Sequence, residues 1–239
     1  MLIAPHNLSE DPLISAKLVR VHSEIADAAS AAHRTVESIT VIAVSKGHGP
    51  SKVRAACASG ALHFGESYLQ EAIPKMQSLR DLSATWHFIG RLQANKSRAI
   101  AEGFDWVHGI DRLKIAERLS AQRPHYAPPL QVCLQVNIAA EPGKAGIAPA
   151  AASELARAVA ALPKLRLRGL MCILPADLGP ELNRQHFASL RRLLEQVNAA
   201  GTALDTLSMG MSADFPEAIL EGATAIRIGT AIFGPRTLS

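Results

Sequence analysis

The chain has 239 residues, of which 48% are hydrophobic, 19% charged and 4% aromatic, with a formal net charge of +4. That length and core content suit one large α/β domain, expected to span 1–239. Scattered basic residues and few aromatics argue against a nucleic-acid partner, and no apolar run is long enough to cross a membrane.

An amphipathic helix is predicted over about Pro12 to Ala32, with Leu13, Leu18, Ile25 and Ala28 on one face. The first strand, Ile39 to Val44, is a β-branched apolar run that reads as buried on both faces. A helix from Ser51 to Ser59 and a second strand from Ala61 to Gly65 follow. Next come a helix from Tyr68 to Leu79, a third strand from Thr85 to Ile89 and a helix from Asn95 to Glu102. The fourth strand is Trp106 to Ile110, and Asp111 is expected to cap the helix that runs to Ala121. The proline-rich loop 122–129 leads to a fifth strand, Leu130 to Asn137, and a helix from Pro149 to Ala161. The sixth strand is Arg166 to Met171, with a helix from Pro180 to Ala199. Thr206 to Ser208 is the seventh, with a helix from Ala213 to Glu221, and Ala225 to Ile228 is the eighth.

Eight strands alternating with helices predict a parallel (β/α)8 TIM-type barrel, with a doubly wound open sheet as the alternative. Little chain follows the eighth strand. The extra N-terminal helix is therefore expected to cover the seam between the eighth and first strands.

Barrel active sites lie at the C-terminal ends of strands. Lys46 sits there after the first strand, where a solvated rim charge is the ordinary fate. A partly desolvated lysine instead becomes a nucleophile able to form a Schiff base. Ser208, Gly210 and Ser212 are placed on the loop entering the seventh helix, and Gly229 and Thr230 just past the eighth strand. Small residues before a helix make an anion nest, and these two loops form the usual phosphate site of barrel enzymes. Barrel closure brings that site beside Lys46. A compact phosphorylated aldehyde fits both ends, and pyridoxal 5'-phosphate is such a molecule. Arg227 is placed to donate to its ring nitrogen, which must then stay unprotonated. His87, Asn137 and Met171 complete the candidate cofactor-binding set, although a satisfied core residue is the default reading of His87.

At these residues the chain resembles the pyridoxal phosphate homeostasis protein family, single-barrel relatives of the alanine racemase N-terminal domain. The matching segments include Ala43-Val-Ser-Lys46, Phe64-Gly-Glu66, Trp86-His-Phe-Ile-Gly90 and Leu92-Gln-x-Asn-Lys96. Further along are Asn137-x-x-x-Glu-x-x-Lys-x-Gly146, Arg168-Gly-Leu-Met171, Leu207-Ser-Met-Gly-Met-Ser212 and Arg227-Ile-Gly-Thr-Ala-Ile-Phe-Gly234. The resemblance implies that Lys46 carries the cofactor as a Schiff base, that Ser212, Gly229 and Thr230 hold its phosphate, and that Arg227 faces the ring nitrogen. Lys144 matches a family lysine linked to a second cofactor-binding role. Ser67 stands where the family usually has Asn.

The resulting expectation is a protein that buffers pyridoxal 5'-phosphate and delivers it to client enzymes, without robust turnover of its own. The alternative is a small cofactor-dependent amino-acid racemase of at most weak activity. Racemisation needs a second acid/base group opposite the lysine. The related racemases take a tyrosine from a further C-terminal domain, for which no sequence follows Phe233 to Ser239. The tyrosines of this chain are Tyr68 and Tyr126. A Schiff-base aldolase is a more distant third reading. Cys57, Cys133 and Cys172 are far apart and odd in number, so neither a metal site nor a disulfide framework is expected. With no signal-peptide pattern, a cytoplasmic monomer is the expectation.

Overall fold

The structure is a computed structural model that describes residues 11–235. Its strands are β1 (Thr40–Val44), β2 (His63–Glu66), β3 (Thr85–Phe88), β4 (Trp106–Ile110), β5 (Leu130–Gln135), β6 (Leu165–Met171), β7 (Thr206–Met211) and β8 (Ala225–Ile228). All pair in parallel, each with its sequence neighbour, and β8 returns to β1 to close the barrel. The open-sheet alternative is thereby excluded. The helices are α1 (Pro12–Ala31), α2 (Pro50–Ala58), α3 (Leu69–Ser78), α4 (Ser97–Gly103), α5 (Leu113–Gln122), α6 (Ala152–Ala160), α7 (Pro180–Ala199), α8 (Phe215–Leu220) and α9 (Thr230–Phe233).

The first helix forms where capping and periodicity agree. The Asp11 carboxylate accepts from the amides of Leu13 and Ile14, and Pro12 occupies the first turn, where no amide hydrogen is needed. Its buried stripe is Ile14, Leu18, Val21, Ile25 and Ala28, and this stripe packs on α8, α9 and α2 over the β8–β1 seam. Leu13 is 62% exposed, one position off the stripe, which corrects its expected place on the buried face.

Several boundaries shift by one or two residues, and three differences bear on the site. Asp111 does not cap α5; Arg112 holds that position without a side-chain bond. β5 ends at Gln135, so Asn137 lies beyond it, and only an isolated bridge from Val136 to Ile147 continues the pairing. β7 runs on to Met211, because Gly210 takes φ +93° where the register against β8 shifts between Ser208 and Met211. That kink lets the strand continue through a glycine that reads as a turn. Ser208 therefore lies inside the barrel wall and not on a loop. The final residues 236–239, which bear on the expectation of no further domain, lie outside the described residues.

Candidate active site

A cavity of about 270 Å³ opens at the C-terminal rim of the strands. Parallel pairing of Ala43 with Ile228 sets the ends of β1 and β8 side by side. Lys46, half-buried just past β1, and Gly229 with Thr230, just past β8, consequently line the same cavity. Val44, Ile89, Ile173 and Met211 supply apolar walls. Gly65 makes room beneath them: a Cβ there would come within 3.0 Å of Ile42 and 3.2 Å of Ile89.

One end of the cavity joins two loops. The Ser212 hydroxyl accepts from the Gly229 amide at 3.3 Å. Thr230 opens α9, and the first amides of a helix have no acceptor within it. Hydroxyls and amide donors thus converge where a phosphate would sit. The Asp214 carboxylate braces this turn by accepting from the Met211 amide at 2.6 Å. Burial pushes the Asp214 pKa up.

The opposite wall carries Arg227, 4% exposed. Its guanidinium donates to the Ser208 hydroxyl at 2.7 Å and to the Cys172 carbonyl at 2.8 Å. Burial lowers its pKa, yet an arginine stays cationic and can only donate. Two of its nitrogens are fixed from behind, which orients the group that faces the cavity.

A second network holds the Lys46 segment from below. The buried Lys75 ammonium donates to the Ser45 carbonyl at 2.8 Å and meets carboxylate oxygens of Glu66 and Glu71, each at 2.7 Å. Ser45 donates its hydroxyl to Glu66 at 2.6 Å, and the Gly47 amide donates to Glu71 at 2.8 Å. Both neighbours of Lys46 are therefore pinned. Burial raises the Glu66 pKa, opposed by Lys75 and the Ser45 bond.

The structure brings Lys46, Ser212, Arg227, Gly229 and Thr230 together and leaves the other expected residues off the cavity wall. His87 is buried in the lumen with both ring nitrogens engaged, to His63 at 3.0 Å and His108 at 2.9 Å. Ser208 is wholly buried behind Arg227 and is also 2.8 Å from His108. Met171 is buried in β6, paired with Ser208. Asn137 closes its own loop by donating to the Glu141 carbonyl at 2.8 Å and accepting from the Glu141 amide at 3.1 Å. Lys144 is exposed and pairs with Glu141 at 3.3 Å. Tyr68 and Tyr126 are exposed and do not line the cavity.

Sequence reasoning missed His48, which lines the cavity, stacks on Phe233 and lies 3.4 Å from the Lys52 amine. It also missed Lys75. Glu71 and Lys75 stand at the i, i+4 spacing that suits a helix pair, but Glu66 arrives from the end of β2. Ile89 was within reach, because it follows His87 by two residues and so shares its inward direction.

A family model described as the alanine racemase N-terminal domain matches residues 21–237. The pyridoxal phosphate homeostasis protein of Pseudomonas aeruginosa is 52% identical over 223 residues, covering 93% of this chain and 96% of that protein. Its counterpart in Escherichia coli is 48% identical over 232 residues, covering 95% and 98%. The chain belongs to the pyridoxal phosphate homeostasis protein family. Among solved structures, PipY of Synechococcus elongatus with PLP bound superposes with a TM-score of 0.82 at 38% identity, covering 92% of this chain and 100% of that one. Alanine racemase from Corynebacterium glutamicum shares the fold, with a TM-score of 0.69 at 18% identity, and the chain covers 62% of its length.

Proposed function

We propose that this family member binds pyridoxal 5'-phosphate through a Schiff base on Lys46 and serves intracellular homeostasis, buffering the cofactor and passing it to client enzymes. The observation that carries this reading is that Lys46, Arg227 and the Ser212–Gly229–Thr230 cluster line one cavity with apolar walls. Such a set matches an aldehyde, a flat pyridine ring and a phosphate. When bound, the cofactor supplies an electrophilic aldehyde and a pyridine ring. Lys46 holds it covalently, Ser212 and the amides opening α9 hold the phosphate, and Arg227 donates to the ring nitrogen. An obligate donor keeps that nitrogen unprotonated and the ring a weak electron sink, which suits holding the cofactor better than aminotransferase-like chemistry. Lys144 serves a second cofactor contact on the exposed loop, away from this cavity.

The racemase reading draws on His48, an ionisable side chain in the cavity lining beside Lys46. It requires His48 to act on the face opposite the lysine. One experiment separates the readings. The purified holoprotein should be yellow, and borohydride should fix the cofactor covalently in the wild type but not in Lys46→Ala. Loss of optical rotation from L-alanine, clearly above the Lys46→Ala control and abolished by His48→Ala, would establish the racemase instead. A colourless protein that still traps a carbonyl substrate at Lys46 would favour an aldolase.

A further inference from the structure

Four side chains bond in series through the barrel lumen and end on Arg227. His63 Nδ1 lies 3.0 Å from His87 Nε2, and His87 Nδ1 lies 2.9 Å from His108 Nε2. His108 Nδ1 lies 2.8 Å from the Ser208 hydroxyl, which accepts from Arg227 at 2.7 Å. His63 opens β2 and borders a second cavity of about 260 Å³ at the N-terminal mouth, alongside Thr40, Arg168 and Asp205. The series therefore runs from one mouth of the barrel to the wall of the other.

Chemistry decides where its hydrogens lie. Arg227 only donates, so Ser208 must accept from it. Ser208 is wholly buried, and His108 Nδ1 is the acceptor the structure offers its hydroxyl hydrogen. His108 then carries its hydrogen on Nε2 and donates to His87 Nδ1. His87 in turn carries its hydrogen on Nε2 and donates to His63 Nδ1. The opposite polarity would place an Arg227 N–H and a His108 N–H against one oxygen and strand the buried hydroxyl hydrogen. Every link is thus set by the arginine.

We propose that His63, His87, His108 and Ser208 form a directed relay that positions Arg227 toward the cofactor ring and couples that position to the charge on His63 at the far mouth. The coupling rests on the cofactor reading above; the polarity of the relay does not. A cationic His63 bears hydrogens on both ring nitrogens and cannot accept from His87. The first link then breaks, or the whole series reverses and loosens the hold on Arg227. The inner rings stay neutral: burial, then neighbouring charge, depresses His87 far below its usual range and His108 to about 3. His63 is half-buried at the open mouth, so it is the ring that solvent protons reach, and burial lowers its pKa. The groups around it are His87 from β3, Asp105 ahead of β4, Arg168 from β6, Asp205 ahead of β7, and, on its other side, His22 of α1 and Glu37. Asp105 favours the cation, and Arg168 is neutralised by Asp205 at 2.6 Å.

Imidazole nitrogen NMR on the ¹⁵N-labelled protein tests the polarity without cofactor. The Nε2–H tautomer is expected at both His87 and His108, with loss of that preference at His108 in Ser208→Ala. An Nδ1–H tautomer at either ring in the wild type overturns the relay. The coupling is read from the visible band of the pyridoxal 5'-phosphate-loaded protein. That band should change with pH at the midpoint of the His63 ring, and His63→Gln, which keeps an acceptor for His87, should lose the step. A step that persists in His63→Gln overturns the coupling, whereas absence of any borohydride-fixed cofactor refutes the binding reading and leaves the tautomer result to judge the relay.

Discussion

Lys75 and Glu66 meet at 2.7 Å with side chains 3% and 0% exposed, directly beneath the strand end that presents Lys46. A buried ion pair is an expensive way to gain stability. Here its geometry gives it a second role, because the same ammonium also binds the Ser45 carbonyl and Glu71. Removing the cation leaves two carboxylates facing each other beneath Lys46.

Lys75→Met should therefore cost about 3–5 kcal/mol of stability, as expected when one partner of a buried pair is deleted. Lys144→Ala, which breaks only an exposed pair with Glu141, should cost less than about 1 kcal/mol. Urea denaturation of the apo forms checks both. Equal losses would show that the Lys75 network is not a buried ionic anchor.

Ser212→Ala removes one hydroxyl from the proposed phosphate end of the cavity and leaves the Gly229 amide without its 3.3 Å partner. A charge-assisted hydrogen bond is worth about 1.5–3 kcal/mol, so cofactor affinity should fall roughly tenfold to a hundredfold. Inorganic phosphate should also compete less well. Equilibrium dialysis measures both, and unchanged affinities would place the phosphate elsewhere.

The inner histidines tie stability to pH. His108 has a folded pKa of about 3, below its unfolded value near 6.5, so its contribution is complete above 6.5 and is lost as pH falls toward 3. Relative to wild type, His108→Gln should lose stability less steeply over that window, by about 1.4 kcal/mol per pH unit. Glu66 and Asp214 have the opposite sign. Their raised pKa values give stability that is present at low pH and lost as pH rises through the folded value. Denaturation midpoints between pH 7 and 4 measure the difference, and parallel curves for wild type and variant would refute it.

Gly210→Ala should destabilise by about 1–3 kcal/mol. Its φ of +93° disfavours any side chain, and a Cβ would lie 2.7 Å from the Ala218 Cβ. Movement of this turn displaces Met211 and Ser212, so cofactor retention should fall together with the thermal midpoint. Intact retention in a destabilised variant would separate the turn from the site.

The readable part of the site was the part marked by local departures from pattern. A lysine ending a buried strand, and glycines with hydroxyl residues after the last two strands, stand out against an apolar background. Ser208 was misplaced because Ser-Met-Gly reads as a turn, and only the pairing with β8 shows that the glycine kinks a continuing strand. The histidine relay has a trace in the sequence: His63, His87 and His108 are separated by 24 and 21 residues, one barrel unit apart. That spacing carries no meaning until the strands are set in register.

Alternation of β-branched runs with helical periodicity was enough to specify the barrel, because each element's pattern is local and eight such units bury their apolar faces in few ways. Motif residues at strand ends were enough to pick out Lys46, Arg227 and the Ser212–Gly229–Thr230 group, which line one cavity. Closure of the ring decided the rest. Hydrogen bonds between side chains on different elements, such as Lys75 on α3 to Glu66 on β2 and Ser208 on β7 to His108 on β4, depend on height and direction around the sheet. Those quantities come from register, and register is settled only when all eight strands pair at once.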